Sequence, residues 1–318
     1  MISEKDVQYK TILFLNASKL RMLSIRNGEL LITDPALGET LTKLSFKKIL
    51  AIFVIGNCTV SSAVIDAIGK HAVPLCLLKE SLRPVIWKAN PAEGNYLLRR
   101  RQHLMQKEDI GIARILVTNK ISNSIRILQR YPKNEAVIRK IEKCIEIATE
   151  TQEYRELMSA EATAAKLFLT RWFQTMPFSG RKPRMKCDPV NVSLDIGYTV
   201  LFNYIEANLR LFGFDLYVGV YHRLFFQRKS LVCDVMEPFR CIVDLKTKDA
   251  FKTKEFKRSD FMEKQGIFSI KKEKAYQYYK AYAQEVILFR MDIFRYVRDY
   301  YRAFMRESEP ENYPKFLI

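Results

Sequence analysis

Residues 84–104 read PVIWKANPAEGNYLLRRRQHL, and the hydrophobic pattern of the chain changes within this stretch. Before it, apolar residues form short runs or alternate with polar ones, which is typical of β-strands; after it, they recur at helical spacing. Pro84, Pro91 and Gly94 interrupt both patterns, because these residues favour turns. We therefore expect an α+β protein in which a small β-rich domain (residues 1–90) precedes a larger all-α domain (residues 95–318). The linker is placed around residues 88–95.

The N-terminal part contains the runs expected of a small sheet with one or two short helices. Strands are predicted over residues 11–16, 20–26 and 29–33, and the dipeptide Asn27-Gly28 is a strong hairpin signal between the last two. These strands fit a meander. Further apolar runs at residues 49–55, 73–78 and 85–88 predict three more strands. Val60, Val64 and Ile68 have helical spacing and predict a short helix.

In the C-terminal part, helices are predicted over about residues 153–174, 193–212 and 276–305, the last as one long helix. Gly213 follows the second of them, at a position where glycine commonly ends a helix. Six cysteines are scattered along the chain without a C-x-x-C pair or zinc-ligand spacing. This usage predicts free, buried thiols in a reducing cytoplasm; the family resemblance given below implies that this is the cytoplasm of a prokaryote.

The charge of the chain points to a polyanionic partner. Its 318 residues include 53 Lys and Arg against 35 Asp and Glu, a formal net charge of +18. A surface this basic attracts polyanions, and nucleic acid is the first one to consider. The longest apolar stretch, residues 49–60, is far shorter than the ~20 residues that a membrane-spanning helix needs. We therefore expect no membrane-spanning helix.

Basic residues are concentrated after residue 95, where 41 basic side chains face 27 acidic ones. Arg99, Arg100 and Arg101 form a run just past the linker. A second basic group, over residues 252–274, is interleaved with four aromatic residues. Those aromatic residues are Phe251, Phe256, Phe261 and Phe268. Phosphate contact with stacking on unpaired bases is one interpretation; a solvated charged face over an aromatic core is the other.

One carboxylate is predicted to point into a helical core. On a helix over residues 155–172, Glu161 falls on the apolar face together with Leu157, Ala164, Phe168 and Trp172. An isolated buried anion is costly, so Glu161 needs a metal ion, a basic partner or a raised pKa. A structural salt bridge is the alternative to a functional role.

The segment LVCDVMEPFR, residues 231–240, places two carboxylates on one helical turn. Asp234 and Glu237 repel each other unless a cation lies between them, and oxygen ligands suit Mg²⁺ or Mn²⁺. Because Pro238 is tolerated only near a helix start, an N-cap role for Asp234 is the alternative. His222 precedes them. A lone histidine is more often a hydrogen-bonded core residue than a ligand, but with carboxylates it completes a mixed nitrogen and oxygen set.

Several short segments, in a fixed order along the chain, carry a family resemblance. They are RRQ (100–102), ARILVTNK (113–120), LMSAEA (157–162), DPVN (188–191) before Gly197-Tyr198, DLYVGVYH (215–222) and DVMEPFR (234–240). Together they resemble the Cas1 family of CRISPR-associated spacer-acquisition integrases over nearly the whole chain. Two departures are visible. Ala162 stands where the family usually has glycine, and Cys241 stands where a proline commonly follows.

The resemblance implies roles for the two domains and for named residues. The β-rich domain is expected to form the dimer contact, and the helical domain is expected to hold the catalytic metal site. Glu161, His222 and Glu237 carry over as ligands of Mg²⁺ or Mn²⁺, with Asp234 as an adjacent catalytic residue. DNA contacts are expected at a set of basic residues. These are Arg99, Arg100, Arg101, Arg223, Lys229 and Arg240.

The activity that the resemblance implies is that of a metal-dependent DNA integrase and endonuclease. The 3′-hydroxyl of a short DNA fragment, the spacer, attacks a phosphodiester at the edge of a CRISPR repeat. Family members form homodimers or higher homo-oligomers, and many work with a small companion protein, Cas2. Two alternatives come from other classes: a branched-DNA repair nuclease, and a non-catalytic basic nucleic-acid-binding protein.

Overall fold

The computed structural model describes residues 2–88, 94–105, 110–183, 185–222 and 225–318. The chain divides into two compact units. The first comprises Met1–Leu97 and Ala207–Phe214, and the second comprises Leu98–Glu206 and Asp215–Ile318. A β-sheet region therefore comes first and a mostly helical region follows, which confirms the predicted fold class. Most of the predicted linker, residues 89–93, lies outside the described residues.

The first unit, where described, is built on a six-stranded sheet of order β3-β2-β1-β4-β5-β6. The strands are β1 (Thr11–Arg26), β2 (Glu29–Asp34), β3 (Glu39–Ser45), β4 (Ile49–Val60), β5 (Leu75–Leu78) and β6 (Pro84–Lys88), and the helices are α1 (Glu4–Tyr9) and α2 (Ser62–His71). The first three strands form an antiparallel meander, although β3 was not among the predicted strands. However, β4 runs parallel to both β1 and β5. Helix α2 carries the chain back between β4 and β5, as a parallel pair requires.

The sheet differs from the predicted strands at β1. Residues 11–16 and 20–26 belong to one strand whose pairing with β4 shifts register between Ala17 and Arg21. Gly56 of β4 faces this irregularity at φ 106°, and a Cβ there would lie 2.5 Å from the carbonyl oxygen of Ala17. The close backbone approach requires glycine. The first seven residues of β4 are buried, as expected of a strand with parallel neighbours on both sides.

Helices make up most of the second unit. They are α3 (Tyr96–Leu104), α4 (Ile110–Gln129), α5 (Glu135–Glu150), α6 (Tyr154–Trp172), α7 (Pro189–Phe212), α8 (Ser230–Met236), α9 (Arg240–Lys252), α10 (Lys272–Leu288) and α11 (Arg290–Met305). By the division given above, the first residues of α3 and the last of α7 belong to the first unit. A hairpin of β7 (Phe261–Lys264) and β8 (Ile267–Ile270), which the sequence pattern did not predict, accompanies the helices. Among the described residues, no helix combines the length and the apolar character needed to cross a membrane.

The predicted long helix over residues 276–305 is wrong, because α10 and α11 are separate. The backbone leaves helical geometry at Phe289, with φ −94° and ψ 15°. The ring of Phe289 packs edge-on against Phe316, with 5.9 Å between centroids. A contact with the C-terminal segment therefore accompanies the break, and this contact is invisible to helical periodicity.

The aromatic residues of the segment 251–274 belong mainly to the core. Phe256 is 1% exposed and stacks on Tyr278 at 3.8 Å between centroids. Phe261 and Phe268 are also buried. The base-stacking interpretation is therefore wrong for these three rings, and the charged residues around them cover a hydrophobic core. The six cysteines are free as predicted, although only Cys76, Cys144 and Cys241 are fully buried.

Candidate active site

Two of the predicted ligands meet at a single cation. Lys120 of α4 places its Nζ 2.6 Å from Oε2 of Glu237 and also contacts Oε1 of Glu161, which lies on α6. The exposed fractions of the three side chains are 17% for Lys120, 18% for Glu161 and 3% for Glu237. Burial disfavours the ammonium, but the two carboxylates outweigh this effect and raise the pKa of Lys120. The basic partner that a buried Glu161 requires is therefore Lys120.

Sequence reasoning did not assign a function to Lys120. The only sequence signal was its place at the end of the segment 113–120, and nothing in that segment indicates a carboxylate partner. The contact arises because α4 packs against α6 and against the turn that follows α8. One turn further along α4, the Nδ2 of Asn123 donates to the carbonyl oxygen of Pro238 at 2.9 Å. This bond anchors the backbone next to Glu237 on the helix that carries Lys120.

A second cation, Arg240, contacts Glu237. Its Nε lies 2.8 Å from Oε2 of Glu237. Burial favours the neutral acid, but Arg240, Lys120 and the nearby His222 outweigh it and lower the pKa of Glu237 to about 2. Glu237 therefore keeps its negative charge throughout the neutral range. The guanidinium of Arg240 also lies over the ring of Tyr198, 4.7 Å from the centroid.

Tyr198 connects this cluster to a second buried carboxylate. Its hydroxyl donates to Oδ1 of Asp244 at 2.5 Å, and the guanidinium of Arg181 lies 5.3 Å from its ring centroid. Burial raises the pKa of Asp244 to about 6, although the hydrogen bond from Tyr198 and the nearby charge of Arg240 act in the opposite direction. The guanidinium groups of Arg181 and Arg240 thus both lie against the ring of Tyr198, and Arg240 also contacts Glu237.

The imidazole of His222 is positioned by Asp234. The Asp234 side chain is fully buried and accepts the backbone N–H groups of Val220 at 2.7 Å, Tyr221 at 3.0 Å and His222 at 2.9 Å. Its Oδ1 also lies 2.6 Å from Nδ1 of His222. With Nδ1 engaged, Nε2 is the ring nitrogen that remains for another ligand. The N-cap interpretation of Asp234 is wrong, because α8 begins four residues earlier, at Ser230.

Three residues that sequence reasoning did not assign to the site hold the segment 215–222 in place. Gln102 donates from Nε2 to the carbonyl oxygens of Asp215 at 3.0 Å and Val218 at 3.3 Å. The Tyr154 hydroxyl donates to the carbonyl oxygen of Val220 at 2.8 Å. A Cβ on Gly219 would lie 2.4 Å from Oδ2 of Asp234, so only glycine lets the carboxylate approach. Of these, only Gln102 and Gly219 stood within the quoted motifs.

The predicted metal ligands fit a divalent cation by their chemistry. Among the described residues, no group of three or more His, Cys, Asp and Glu side chains is close enough to hold a metal ion. However, Glu161 and Glu237 already converge on a cation, the ammonium of Lys120. His222 is anchored through Nδ1 by a carboxylate, as metal-binding histidines commonly are. Burial, together with the charges of Glu161, Glu237 and Asp234, raises the pKa of Tyr221. These carboxylates therefore act electrostatically on the residue beside His222.

Comparison with known proteins identifies the family. The family model described as "CRISPR associated protein Cas1" matches residues 17–284. The chain belongs to the Cas1 family. A "CRISPR-associated endonuclease Cas1 1" from Thermodesulfovibrio yellowstonii is 27% identical over 252 residues, covering 74% of this chain and 79% of that protein. A "CRISPR-associated endonuclease Cas1 3" from Thermus thermophilus is 28% identical over 262 residues, covering 79% of this chain and 77% of that one. The predicted family is therefore confirmed.

Solved structures share the fold of this Cas1-family chain. A "Casposase bound to integration product" matches with a TM-score of 0.77 and 20% identity, covering 96% of this chain and 94% of that one. A chain of a "Cas6-RT-Cas1--Cas2 complex" matches with a TM-score of 0.78 and 20% identity, covering 97% of this chain. This chain spans only 36% of the length of that second protein. At these identities, the likeness shows the fold.

The basic residues predicted to contact DNA in this Cas1-family protein have different surroundings. Arg100 is exposed and Arg99 is half-buried. Arg101 donates from Nη1 to the carbonyl oxygen of Met305 at 2.5 Å and also contacts Glu307. Arg101 is therefore engaged within the second unit, and its predicted DNA contact stays a prediction.

Of the other three predicted DNA contacts, Lys229 and Arg240 each pair with a buried glutamate. Lys229 places Nζ 2.6 and 2.7 Å from the two carboxylate oxygens of the fully buried Glu206. Lys229 and Glu206 therefore form an ion pair, and the predicted DNA contact of Lys229 stays a prediction. Arg240 belongs to the Glu237 cluster described above. Arg223 lies outside the described residues.

Proposed function

We propose that this Cas1-family protein is a metal-dependent DNA integrase and endonuclease that inserts short DNA fragments into a CRISPR array. Glu161, His222 and Glu237 hold Mg²⁺ or Mn²⁺ in this proposal. One observation carries it: two carboxylates from different helices converge on one cation, near an imidazole whose Nδ1 a buried carboxylate fixes. The curated relatives named as endonucleases and the casposase seen with its integration product support the same reaction class.

The proposed reaction exchanges one phosphodiester for another. The oxygen of a 3′-hydroxyl forms a bond to phosphorus while the bond from phosphorus to the leaving oxygen breaks. The attacking hydroxyl gives up a proton and the leaving oxygen takes one up. Because one phosphodiester replaces another, no external energy source is required. A bound divalent cation supplies Lewis-acid stabilisation of the anionic transition state. When water replaces the hydroxyl, the same site cuts DNA.

The residues of this chain divide the remaining work. Glu161 and Glu237 provide the negative charge that binds a cation, and the low pKa of Glu237 keeps its carboxylate ionised. In this proposal Asp234 accepts a hydrogen bond from Nδ1–H of His222, which leaves the lone pair of Nε2 available to a metal ion. Asp234 is therefore a positioning residue in this proposal and not a ligand. This assignment refines its predicted catalytic role.

Charge balance explains how the site attracts phosphate. Glu161 and Glu237 are neutralised by Lys120 and Arg240, so these four side chains together carry no net charge. A bound divalent cation makes the net charge of this buried cluster positive. An anionic phosphodiester then binds favourably where it would not bind the two carboxylates alone. The metal is therefore expected to hold the reacting phosphodiester locally, whereas basic residues elsewhere supply most of the DNA affinity.

We also propose that the protein works as a homodimer or higher homo-oligomer, with residues 1–90 supplying the dimer contact and residues 95–318 the catalytic domain. Cas2 is the proposed protein partner, because one structural relative is part of a Cas1–Cas2 complex. DNA is the proposed substrate, as spacer precursor and as repeat-containing target. The net charge of +18 supports this choice.

An in vitro integration assay tests the proposal. Purified protein is mixed with a labelled fragment carrying 3′-hydroxyl ends and with a repeat-containing plasmid, while Mg²⁺ or Mn²⁺ is titrated. We expect Glu161→Gln, His222→Ala and Glu237→Gln to lower strand transfer by about 10²-fold or more, with DNA affinity at fixed salt nearly unchanged. Glu146→Gln, an exposed change on α5, is the matched control.

The products separate the alternatives. Label joined to the plasmid supports integration, whereas nicks without joined label support a repair nuclease. Binding without any cleavage supports a non-catalytic DNA-binding protein. If strand transfer survives in all three variants, the assignment of the site is wrong.

A further inference from the structure

The space between Glu161 and Glu237 already contains a cation, the ammonium of Lys120. This ammonium contacts the same carboxylate groups that we assign to the divalent cation. We propose that Lys120 is the resident counter-cation of this carboxylate pair and that a divalent cation must displace its ammonium in order to bind. The inference rests on the proposed function, because it concerns the same site.

The ammonium of Lys120 and a divalent cation compete for the same carboxylates. Oε2 of Glu237 lies 2.6 Å from Lys120 and 2.8 Å from Arg240, so this one oxygen already contacts two basic groups. Mg²⁺ takes oxygen ligands at about 2.0–2.1 Å in a near-octahedral arrangement. An ammonium lying between the two carboxylates leaves no room for this arrangement. In agreement, no ready-made metal cluster is found in the described ranges.

The chemistry of lysine suits a displaceable counter-cation. Its ammonium is a compact charge on a flexible four-carbon stem, so it can move away without any change in the helix. The backbone of α4 is held nearby by two buried side chains. Asn119 donates to the carbonyl oxygen of Phe316 at 2.7 Å, and Asn123 donates to that of Pro238 at 2.9 Å. Only the side chain of Lys120 therefore has to rearrange when the metal binds.

The counter-cation also has a structural consequence for the metal-free protein. Two adjacent carboxylates without a cation between them repel each other and are costly to bury. Lys120 removes this repulsion before any metal arrives. Substitution of Lys120 by a neutral residue is therefore expected to lower the stability of the metal-free protein and to raise its affinity for the metal ion. A simple packing defect does not produce this combination.

The test uses the full chain without DNA. Mn²⁺ binding is measured by calorimetry for the wild type and for Lys120→Met, which keeps the stem and removes the charge. Thermal unfolding is followed in EDTA and in Mn²⁺. Removal of a like charge within a few ångströms changes such equilibria by about 10-fold to 1,000-fold, so we expect Lys120→Met to bind Mn²⁺ at least about tenfold more tightly and to unfold at a lower temperature in EDTA.

Two further variants make the outcome decisive. Lys166→Met, on the exposed side of α6, is the matched control and should leave both measurements unchanged. Lys120→Gln, which keeps a hydrogen-bond donor without the charge, replaces Lys120→Met if that variant does not fold. Unchanged or weaker Mn²⁺ binding in the neutral variants overturns the inference.

Glu161→Gln distinguishes this failure from that of the proposed function. If Glu161→Gln abolishes Mn²⁺ binding while the neutral Lys120 variants do not strengthen it, only the counter-cation role is wrong. If Glu161→Gln leaves Mn²⁺ binding unchanged, the proposed metal ligands are themselves wrong, and the inference that rests on them fails with them.

Discussion

Replacement of Asp234 by asparagine is the sharpest test of how His222 is positioned. The two oxygens of Asp234 face four contacts: backbone N–H groups of Val220, Tyr221 and His222, and Nδ1 of His222. Oδ2 accepts from Val220 and Tyr221, whereas Oδ1 faces both groups of His222. Asparagine offers one oxygen and one NH₂ group. With the NH₂ group towards Val220 and Tyr221, two donors lose their acceptor; turned the other way, the backbone N–H of His222 loses its acceptor, and Nδ1 keeps a bond only as an acceptor, in the tautomer that protonates Nε2.

The expected cost follows from the number of bonds lost. A hydrogen bond to a charged group contributes about 1.5–3 kcal/mol, so the loss of one or two amounts to about 1.5–6 kcal/mol. The carboxylate is fully buried, so water does not replace the lost bonds. This cost is a large fraction of the roughly 5–15 kcal/mol that stabilises a typical domain. Asp234→Asn should therefore both destabilise the second unit and release His222.

Asp244→Asn is a matched control with the opposite expected sign. Asp244 is also buried, but its carboxylate accepts from the neutral hydroxyl of Tyr198, and the oxygen of asparagine keeps this bond. The pKa of Asp244 rises from 3.8 to about 6, so the stability contributed by its protonated form is lost as the pH rises through 6. At pH 8 the ionised form costs up to about 3 kcal/mol, at about 1.4 kcal/mol per pKa unit. Asp244→Asn removes that cost.

Urea unfolding at pH 8 measures both variants. A Trp87→Phe background leaves Trp172 as the single tryptophan, which reports on the second unit because its Nε1 donates to the carbonyl oxygen of Asp244. Hydrogen exchange then follows the amides of residues 220–222, which should lose protection in Asp234→Asn alone. If Asp234→Asn costs less than about 1 kcal/mol, or if both variants destabilise equally, the positioning role of Asp234 is wrong.

Three further predictions concern the same unit and its neighbour. Gly219→Ala should lower the free energy of unfolding by about 1–3 kcal/mol, because its Cβ would lie 2.4 Å from a buried carboxylate oxygen. In the control Gly69→Ala, in α2, the added Cβ meets nothing within 4 Å and should stabilise the protein by about 0.5–1 kcal/mol. Equal thermal shifts of the two variants would contradict this prediction. Phe256→Ala should cost about 3–5 kcal/mol without weakening DNA binding at fixed salt, and a parallel loss of DNA affinity would restore the base-stacking interpretation. The pKa of Glu237 is lowered from 4.5 to about 2, so its contribution to stability is present above pH 4.5 and lost as the pH falls towards 2; acid unfolding of Glu237→Gln should show a shallower slope there, and an unchanged slope would count against these ion pairs.

Local patterns predicted the elements that depend on neighbouring residues. The position of Glu161 on the apolar face of α6 followed from helical spacing, and that helix was placed to within about two residues of its observed ends. Asp234 and Glu237 are three positions apart, and this spacing indicated a shared turn. The hairpin at Asn27-Gly28 followed from turn chemistry. In each case the residues that determine the element lie within or next to it, so the element can be predicted from a short stretch of sequence.

Other features depended on contacts that no local pattern reports. The periodicity of residues 276–305 is continuous, yet Phe289 leaves the helix and packs against Phe316. The proline at 238 suggested that a helix starts near Asp234, whereas α8 begins at Ser230 and Pro238 lies in the short turn after it. Basic residues such as Lys229 looked available for phosphate, but a buried glutamate on α7 holds that ammonium.

The sequence by itself determined the class of fold, the family and the identity of three side chains suited to a divalent cation. It did so because periodicity and motif spacing are properties of neighbouring residues. Only the tertiary structure decided that Lys120 lies between Glu161 and Glu237 and that Asp234 serves His222. The energy of a buried charge depends on which distant groups surround it, and helix packing alone brings those groups within a few ångströms.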